Sequence, residues 1–216
     1  IAPDYILIHK DVKDAFVKAF AEQVKELHGD DISTDRHYVR MVNQKAFERV
    51  TGYMKDGRIH YGGASEASSR FIEPTLVEVS DTTLPIMNEE IFGPVFPVIV
   101  IDPAAKGQTF GDIVTEFVNS REKPLAFYYF GKESDGWDII RRTSSGGGCI
   151  NDVIMHIANE NVPFGGVGYS GMGRYHSKDS FEAFSHTRSI IATGTWIDLP
   201  FRYMPYKLFN LVKKIL

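Results

Sequence analysis

Cysteine is almost missing. The chain has 216 residues and one cysteine, Cys149, so no internal disulfide can close. That excludes a disulfide-stapled scaffold and points to a reducing compartment, which makes the cytoplasm the expected location. Long apolar runs are missing as well. None approaches the roughly 20 residues that a membrane-crossing helix needs, and no secretory leader is visible. Positive charge is not in excess: 24 Lys and Arg stand against 28 Asp and Glu, a net charge of −4 with a pI near 6.0. Without a basic stripe, a nucleic-acid partner is not expected. Metal-ligand spacing is absent, with no His-x-x-x-His and no Cys-x-x-Cys, so no metal site is expected. There is no internal repeat and no low-complexity segment.

What is present is ordinary globular composition, 43% hydrophobic and 24% charged, enough for one large domain or two small ones. Asp11 is placed to cap a helix reaching about Leu27, with Val12, Ala15, Phe16, Ala19, Phe20 and Val24 on one face and Gly29 as the stop. A second amphipathic pattern predicts a helix from Tyr38 to Lys55. Tyr5–His9, Arg58–Tyr61, Phe71–Val77, Phe96–Ile101, Leu125–Phe130 and Cys149–Asn151 read as strands. Pro74 puts the third of these at an edge or a bulge. The nearly unbroken apolar run of Leu125–Phe130 predicts a strand buried on both faces. Ile113–Val118 and Trp137–Arg142 read as helical. This alternation predicts an α/β fold with a largely parallel sheet flanked by helices. Ligands of such sheets bind at the carboxyl ends of the strands. Near the end, Arg188–Thr193 reads as a strand and Leu208–Leu216 as a short helix.

Two stretches carry chemistry. The first is Asn88-Glu89-Glu90-Ile91-Phe92-Gly93-Pro94-Val95, a polar loop feeding a strand. Pro94 fixes its own φ and restrains Gly93. If the segment is extended, Glu90 and Phe92 point to one side. A carboxylate beside a flat apolar ring suits a sugar carrying a stacked ring; the plainer alternative is a solvated acidic turn with Phe92 in the core. The second stretch is Pro163 to Gly173, where Gly166, Gly168 and Gly171 spell G-x-G-x-x-G. Polar residues 158–162 precede it instead of an apolar strand. About 20 residues on lies Ile190-Ile191-Ala192 instead of a ribose-binding acid. A tight loop anchored by Phe164 is the better reading. Cys149 has three glycines before it and Ile150 after it. Those neighbours offer no base and no positive field, so a small structural residue is expected. His156 and His176 have no partner spacing either.

Glu89 to Val95 resembles the Glu-Glu-Ile-Phe-Gly-Pro-Val motif of the aldehyde dehydrogenase superfamily. Pro163-Phe164-Gly165-Gly166 followed by Ser170-Gly171-Met172-Gly173 resembles that superfamily's C-terminal glycine loop, and Gly146 to Asp152 the glycine-plus-Asn strand before it. Asn151-Asp152-Val153 with His156, Tyr175-His176, Phe181 to His186 and Pro200 to Tyr206 resemble the class 3 branch, with its fatty and aromatic aldehyde dehydrogenases. The resemblance covers essentially the whole chain, with its motifs in the right order. It implies NAD or NADP as cofactor, with Glu90 on the nicotinamide ribose hydroxyls and Phe92 beside that ribose. It implies Phe164 as a wall of the substrate tunnel, an aldehyde as substrate, and a homodimer. Residues 1–185 would be the C-terminal part of the catalytic domain. Residues 186–216 would be an oligomerisation strand and tail, in which 188–193 joins a partner subunit's sheet or stays an ordinary edge strand. The cofactor domain would be absent.

The superfamily oxidises aldehydes to carboxylic acids through a Cys thioester. Its nucleophile stands in Gly-Gln-x-Cys-x-x-Pro, and this chain begins x-x-Pro as Ile1-Ala2-Pro3. By that match the nucleophile is expected immediately before Ile1, so the chain holds no catalytic residue of its own and is inactive alone. A start without Met fits a fragment. The alternative is a non-catalytic binding or scaffold module that keeps the fold.

Overall fold

β1 (Ile6–His9) runs straight into α1 (Lys10–His28), and His9 is the joint. The computed structural model describes residues 3–196, 198, 203–205, 210, 213 and 214. As the last residue of a strand, His9 already has the extended backbone that an N-cap needs, φ −67° and ψ 134°, and its imidazole accepts the Asp11 N–H. The expected cap, Asp11, instead lies in the first turn, where its charge suits the helix dipole.

α2 is shorter than its periodicity suggested, Gln44–Gly52, continued by a 3-10 turn over Tyr53–Asp56. The reason lies in competing partners. The Tyr38 hydroxyl donates to Ile72 O, and Met41 N donates to Arg70 O, so residues 38–41 are tied to the sheet edge. Asn43 then caps the helix by accepting from Ala46 N at 2.8 Å. Gly52 has helical backbone, and a Cβ there would meet nothing within 4 Å. Gly52→Ala is therefore expected to stabilise the protein by about 0.5–1 kcal/mol, read as a rise in the unfolding midpoint.

β2 (Arg58–Tyr61), β3 (Ser65–Glu66), β4 (Phe71–Ile72), β5 (Thr75–Glu78) and β6 (Val95–Ile101) follow. Pro74 splits what reads as one strand into two. β4 pairs with β3, while β5 enters the main sheet, whose order is β1-β6-β5-β2. β6 is parallel to both β1 and β5, and β2 is antiparallel to β5. Strand alternation sorts the core. Ile8, Leu76 and Val98 pack with Phe16, Val17 and Phe20 of α1 on one face; Val77, Val79 and Val95 pack with Phe47 and Val50 of α2 on the other.

The second half carries α3 (Pro103–Lys106), α4 (Phe110–Asn119), β7 (Ala126–Tyr129), α5 (Glu133–Arg142), β8 (Gly147–Ile150), α6 (Met155–Ala158) and α7 (Ser177–Ala183). β7 and β8 form a separate parallel pair. Contrary to expectation, β7 is half-buried throughout, because its one ladder partner among the described residues is β8. Ile113, Val114 and Val118 of α4 and Ile139 of α5 join Ile101 in a further core, against which Leu7 and Phe127 pack. The architecture is the expected α/β fold, a largely parallel sheet flanked by helices.

By its contacts the chain divides into two compact units, Ile1–Ala183 and Phe184–Leu216. Residues 188–193, expected as a strand, have no regular structure, and Ile190 and Ile191 are exposed. Most of the expected helix over 208–216 lies outside the described residues. Among the described residues no helix is long and apolar enough to cross a membrane.

Candidate functional site

The candidate loop enters β6 at its amino end. Asp4, just before β1, reaches the same place, since its Oδ1 accepts the Ile91 N–H at 3.1 Å. The glycine loop behaves alike at the second sheet. A Cβ on Gly146, one residue before β8, would strike Gly165 O at 2.3 Å and Leu125 O at 2.6 Å. The structure thus places the candidate residues at the amino ends of their strands, not at the carboxyl ends where open α/β sheets usually bind ligands. The first loop lies at the amino end because it precedes β6 in sequence, whereas the glycine loop follows β8 and folds back onto the start of that strand.

Ile91 is the anchor of the first loop. It is 1% exposed, sunk in the core with Val50, Tyr53 and Met87. Its two neighbours face outward. Glu90 is exposed, and among the described residues its carboxylate makes no hydrogen bond or ion pair. Phe92 is 74% exposed. The plainer alternative, Phe92 in the core, is therefore wrong. The extended backbone assumed for the pair does not hold either, because Phe92 has φ +49° in the left-handed region. A bulky aromatic there costs on the order of 1–3 kcal/mol and persists only where its surroundings over-determine it. Burial does not explain a strained ring left in solvent.

Several groups hold this loop. Arg49, in the last turn of α2, donates from Nη1 to Glu90 O at 3.2 Å and from Nη2 to Ile91 O at 2.7 Å. Arg49 Nη1 also donates to the Tyr53 hydroxyl at 2.9 Å, and that hydroxyl donates to Glu89 Oε2 at 3.0 Å. Asn88 Nδ2 donates to Thr83 O at 2.7 Å, and Arg121 donates to Met87 O. Partial burial pushes the Asp4 carboxyl up, opposed by the Ile91 N–H and the Arg121 charge. Gly93 is required by space: a Cβ there would lie 2.8 Å from a Val50 methyl on α2. Sequence reading found Glu90, Phe92 and Gly93 but missed Arg49, Tyr53, Asp4 and Arg121. Arg49 on an amphipathic helix gave no signal, because its partners are backbone carbonyls some forty residues away.

Phe164 sits apart from that loop. It is 8% exposed, with ring centroids 5.4 Å from His156, 5.7 Å from Tyr175 and 6.2 Å from His176. Its backbone exchanges both hydrogen bonds with Tyr175. No ring contact or hydrogen bond joins Phe164 to Glu90 or Phe92 among the described residues. The glycine run beyond it closes on itself. Ser170 Oγ accepts from Val167 N and donates to Val167 O, and Gly168–Ser170 forms a single 3-10 turn. No helix of useful length starts there, so the loop is not a dinucleotide cradle.

Cys149 does have a partner that spacing did not reveal, with Sγ 3.6 Å from His156 Nδ1. Burial pushes the His156 pKa down, so the ring is held neutral and supplies no positive field to the thiol. A cavity of about 790 Å³ lies elsewhere, lined by Trp137, Ile140 and Thr143 from α5 and its end and by residues 147–150 of β8. No group of three or more His, Cys, Asp or Glu among the described residues could hold a metal ion.

Residues 1–190 match the aldehyde dehydrogenase family, and the chain belongs to it. It is 42% identical over 215 residues to aldehyde dehydrogenase family 3 member B1 of Rattus norvegicus, covering 98% of this chain and 44% of the relative. It is 41% identical over 208 residues to the aldehyde dehydrogenase, dimeric NADP-preferring, of Canis lupus familiaris, covering 95% and 44%. A solved structure, the substrate-bound state of Staphylococcus aureus AldH, superposes with a TM-score of 0.83 at 40% identity, covering all of this chain and 46% of that one. The resemblance to the class 3 branch therefore holds. The chain spans a little under half the length of these relatives.

Proposed function

We propose that this chain is the C-terminal half of an NAD(P)-dependent aldehyde dehydrogenase that oxidises an aldehyde to a carboxylic acid. Residues 1–185 belong to its catalytic domain, and 186–216 form the oligomerisation strand and tail. The observation that carries the reading is the outward pair on the caged loop. Glu90 offers a carboxylate without a partner among the described residues, and Phe92 holds its ring in solvent on a strained, left-handed backbone. That donor set fits a ribose with a flat ring attached: the carboxylate accepts from two hydroxyls, and the aromatic ring packs beside them. NAD(P), when bound, supplies the hydride acceptor.

This chain's own residues orient and hold. Ile91 plugs the loop into the core, Asp4 and Arg49 fix its peptide, and Glu90 and Phe92 face the cofactor. Phe164 walls the substrate side from its aromatic cluster at the amino end of β8. The nucleophilic thiol and the cofactor domain are assigned to the parent enzyme outside these 216 residues, since the chain spans under half the length of its relatives. The canine relative is named dimeric and NADP-preferring, which supports a homodimer here and leaves NADP as well as NAD in play. A cytoplasmic location is part of the proposal, supported by the single cysteine.

The test is spectrophotometric. The intact protein containing this chain, given NAD or NADP and a panel of aliphatic and aromatic aldehydes, is expected to form reduced cofactor in an aldehyde-dependent way. No reduced cofactor with any aldehyde would overturn the activity.

A further inference from the structure

Within Glu89–Gly93 no backbone–backbone hydrogen bond forms among the described residues; the Ile91 N–H goes to a side chain, Asp4. The loop's shape is therefore set from outside. Arg49 makes the unusual contribution, because its guanidinium forks across two successive carbonyls, those of Glu90 and Ile91. The Ile91 carbonyl belongs to the peptide that precedes Phe92. Fixing that peptide plane leaves the left-handed φ of Phe92 as the remaining freedom, and it is the strained angle. The Glu90 carbonyl is fixed one peptide earlier. Arg49 itself is immobilised by the Tyr53 hydroxyl and lies over the Tyr53 ring at 5.5 Å. Tyr53 in turn holds Glu89, so the neighbouring acid is turned toward Arg49, while the Glu90 carboxylate has no partner among the described residues.

We propose that Arg49 is a positioning residue for cofactor binding: its two-pronged hold on the Glu90 and Ile91 carbonyls aims the Glu90 carboxylate and the Phe92 ring at the nicotinamide ribose. The inference rests on the reading that Glu90 meets that ribose. A lysine cannot replace it, because an ammonium is a point charge and does not span two carbonyls in a fixed plane.

The experiment uses the intact enzyme and four variants, R49M, R49K, E90Q and R49M/E90Q, with cofactor KM, aldehyde KM and the unfolding midpoint measured for each. R49M is expected to raise cofactor KM about tenfold, the loss of one charge-assisted anchor, with aldehyde KM changing less than about twofold. R49K recovers little of this. Since Arg49 acts through Glu90 and Phe92, the double variant is expected to lose clearly less than the product of the two single losses, as coupled residues do. Additive losses in the double variant, full rescue by lysine, or equal rises in both KM values would overturn the role of Arg49. An effect of E90Q with none from R49M would overturn Arg49 and leave the ribose reading standing. No effect from E90Q would overturn both. Should R49M fail to fold, R49K and R49K/E90Q make the same comparison.

Discussion

Glu90→Ala in the intact enzyme is expected to raise the cofactor KM by about 10- to 150-fold. The magnitude follows from the chemistry of the pair. Hydrogen bonds to a charged acceptor contribute about 1.5–3 kcal/mol, and each 1.4 kcal/mol is roughly a factor of ten. The side chain is exposed and makes no hydrogen bond or ion pair among the described residues, so its removal leaves nothing unsatisfied in the protein. Folding stability should hardly move. That separation makes the variant informative: a large change in cofactor affinity with an unchanged unfolding midpoint is what a binding carboxylate gives. Steady-state kinetics with varied NAD(P) measures it, and an unchanged cofactor KM would contradict the assignment.

The second large effect is structural. Gly166→Ala is expected to destabilise the protein by about 3 kcal/mol or more, at the upper end of what overpacking costs. A Cβ at Gly166 would lie 2.0 Å from Ser170 O and 2.2 Å from Ser170 C. Both are backbone atoms of a turn already fixed by the Ser170 hydroxyl on Val167, so neither can swing aside. The displaced turn would also disturb the segment carrying Phe164. The unfolding midpoint should fall by several degrees, whereas Gly52→Ala should raise it. A Gly166→Ala protein as stable as its parent would mean that the loop is not the close-packed turn described.

Much of this was legible beforehand. The 3.6-residue period of α1 and the β-branched run of β6 both formed close to where their patterns placed them, because burial on one face and strand propensity agree there. The outward pair was legible only in part. Ile91 between two polar or exposed neighbours is a local pattern, but the left-handed turn at Phe92 depends on how Arg49 and Asp4 grip the loop. Contacts between residues so far apart in sequence leave no periodic trace. The same limit explains Cys149. Its neighbours in sequence offer no base, yet the fold brings His156 to 3.6 Å. α2 came out short for a related reason: the pairing of Met41 with Arg70 overrides local helix preference. Pro74 signalled irregularity, but not that the two halves of its strand would enter different sheets.

Where the candidate residues lie also has a consequence. Asp4, the Glu90 loop and the Gly165-Gly166 turn all sit at the amino ends of strands. A cofactor domain would then approach the sheets from the rim that open α/β folds usually leave without ligands. The exposed ring of Phe92 would be covered only when the cofactor arrives.

A crystal structure of the intact enzyme with NAD(P) bound tests this account most directly. The nicotinamide ribose hydroxyls are expected within hydrogen-bonding distance of the Glu90 carboxylate, with Phe92 packed beside them and Arg49 still on the Glu90 and Ile91 carbonyls. A cofactor bound elsewhere, with Glu90 and Phe92 left facing solvent, would contradict it.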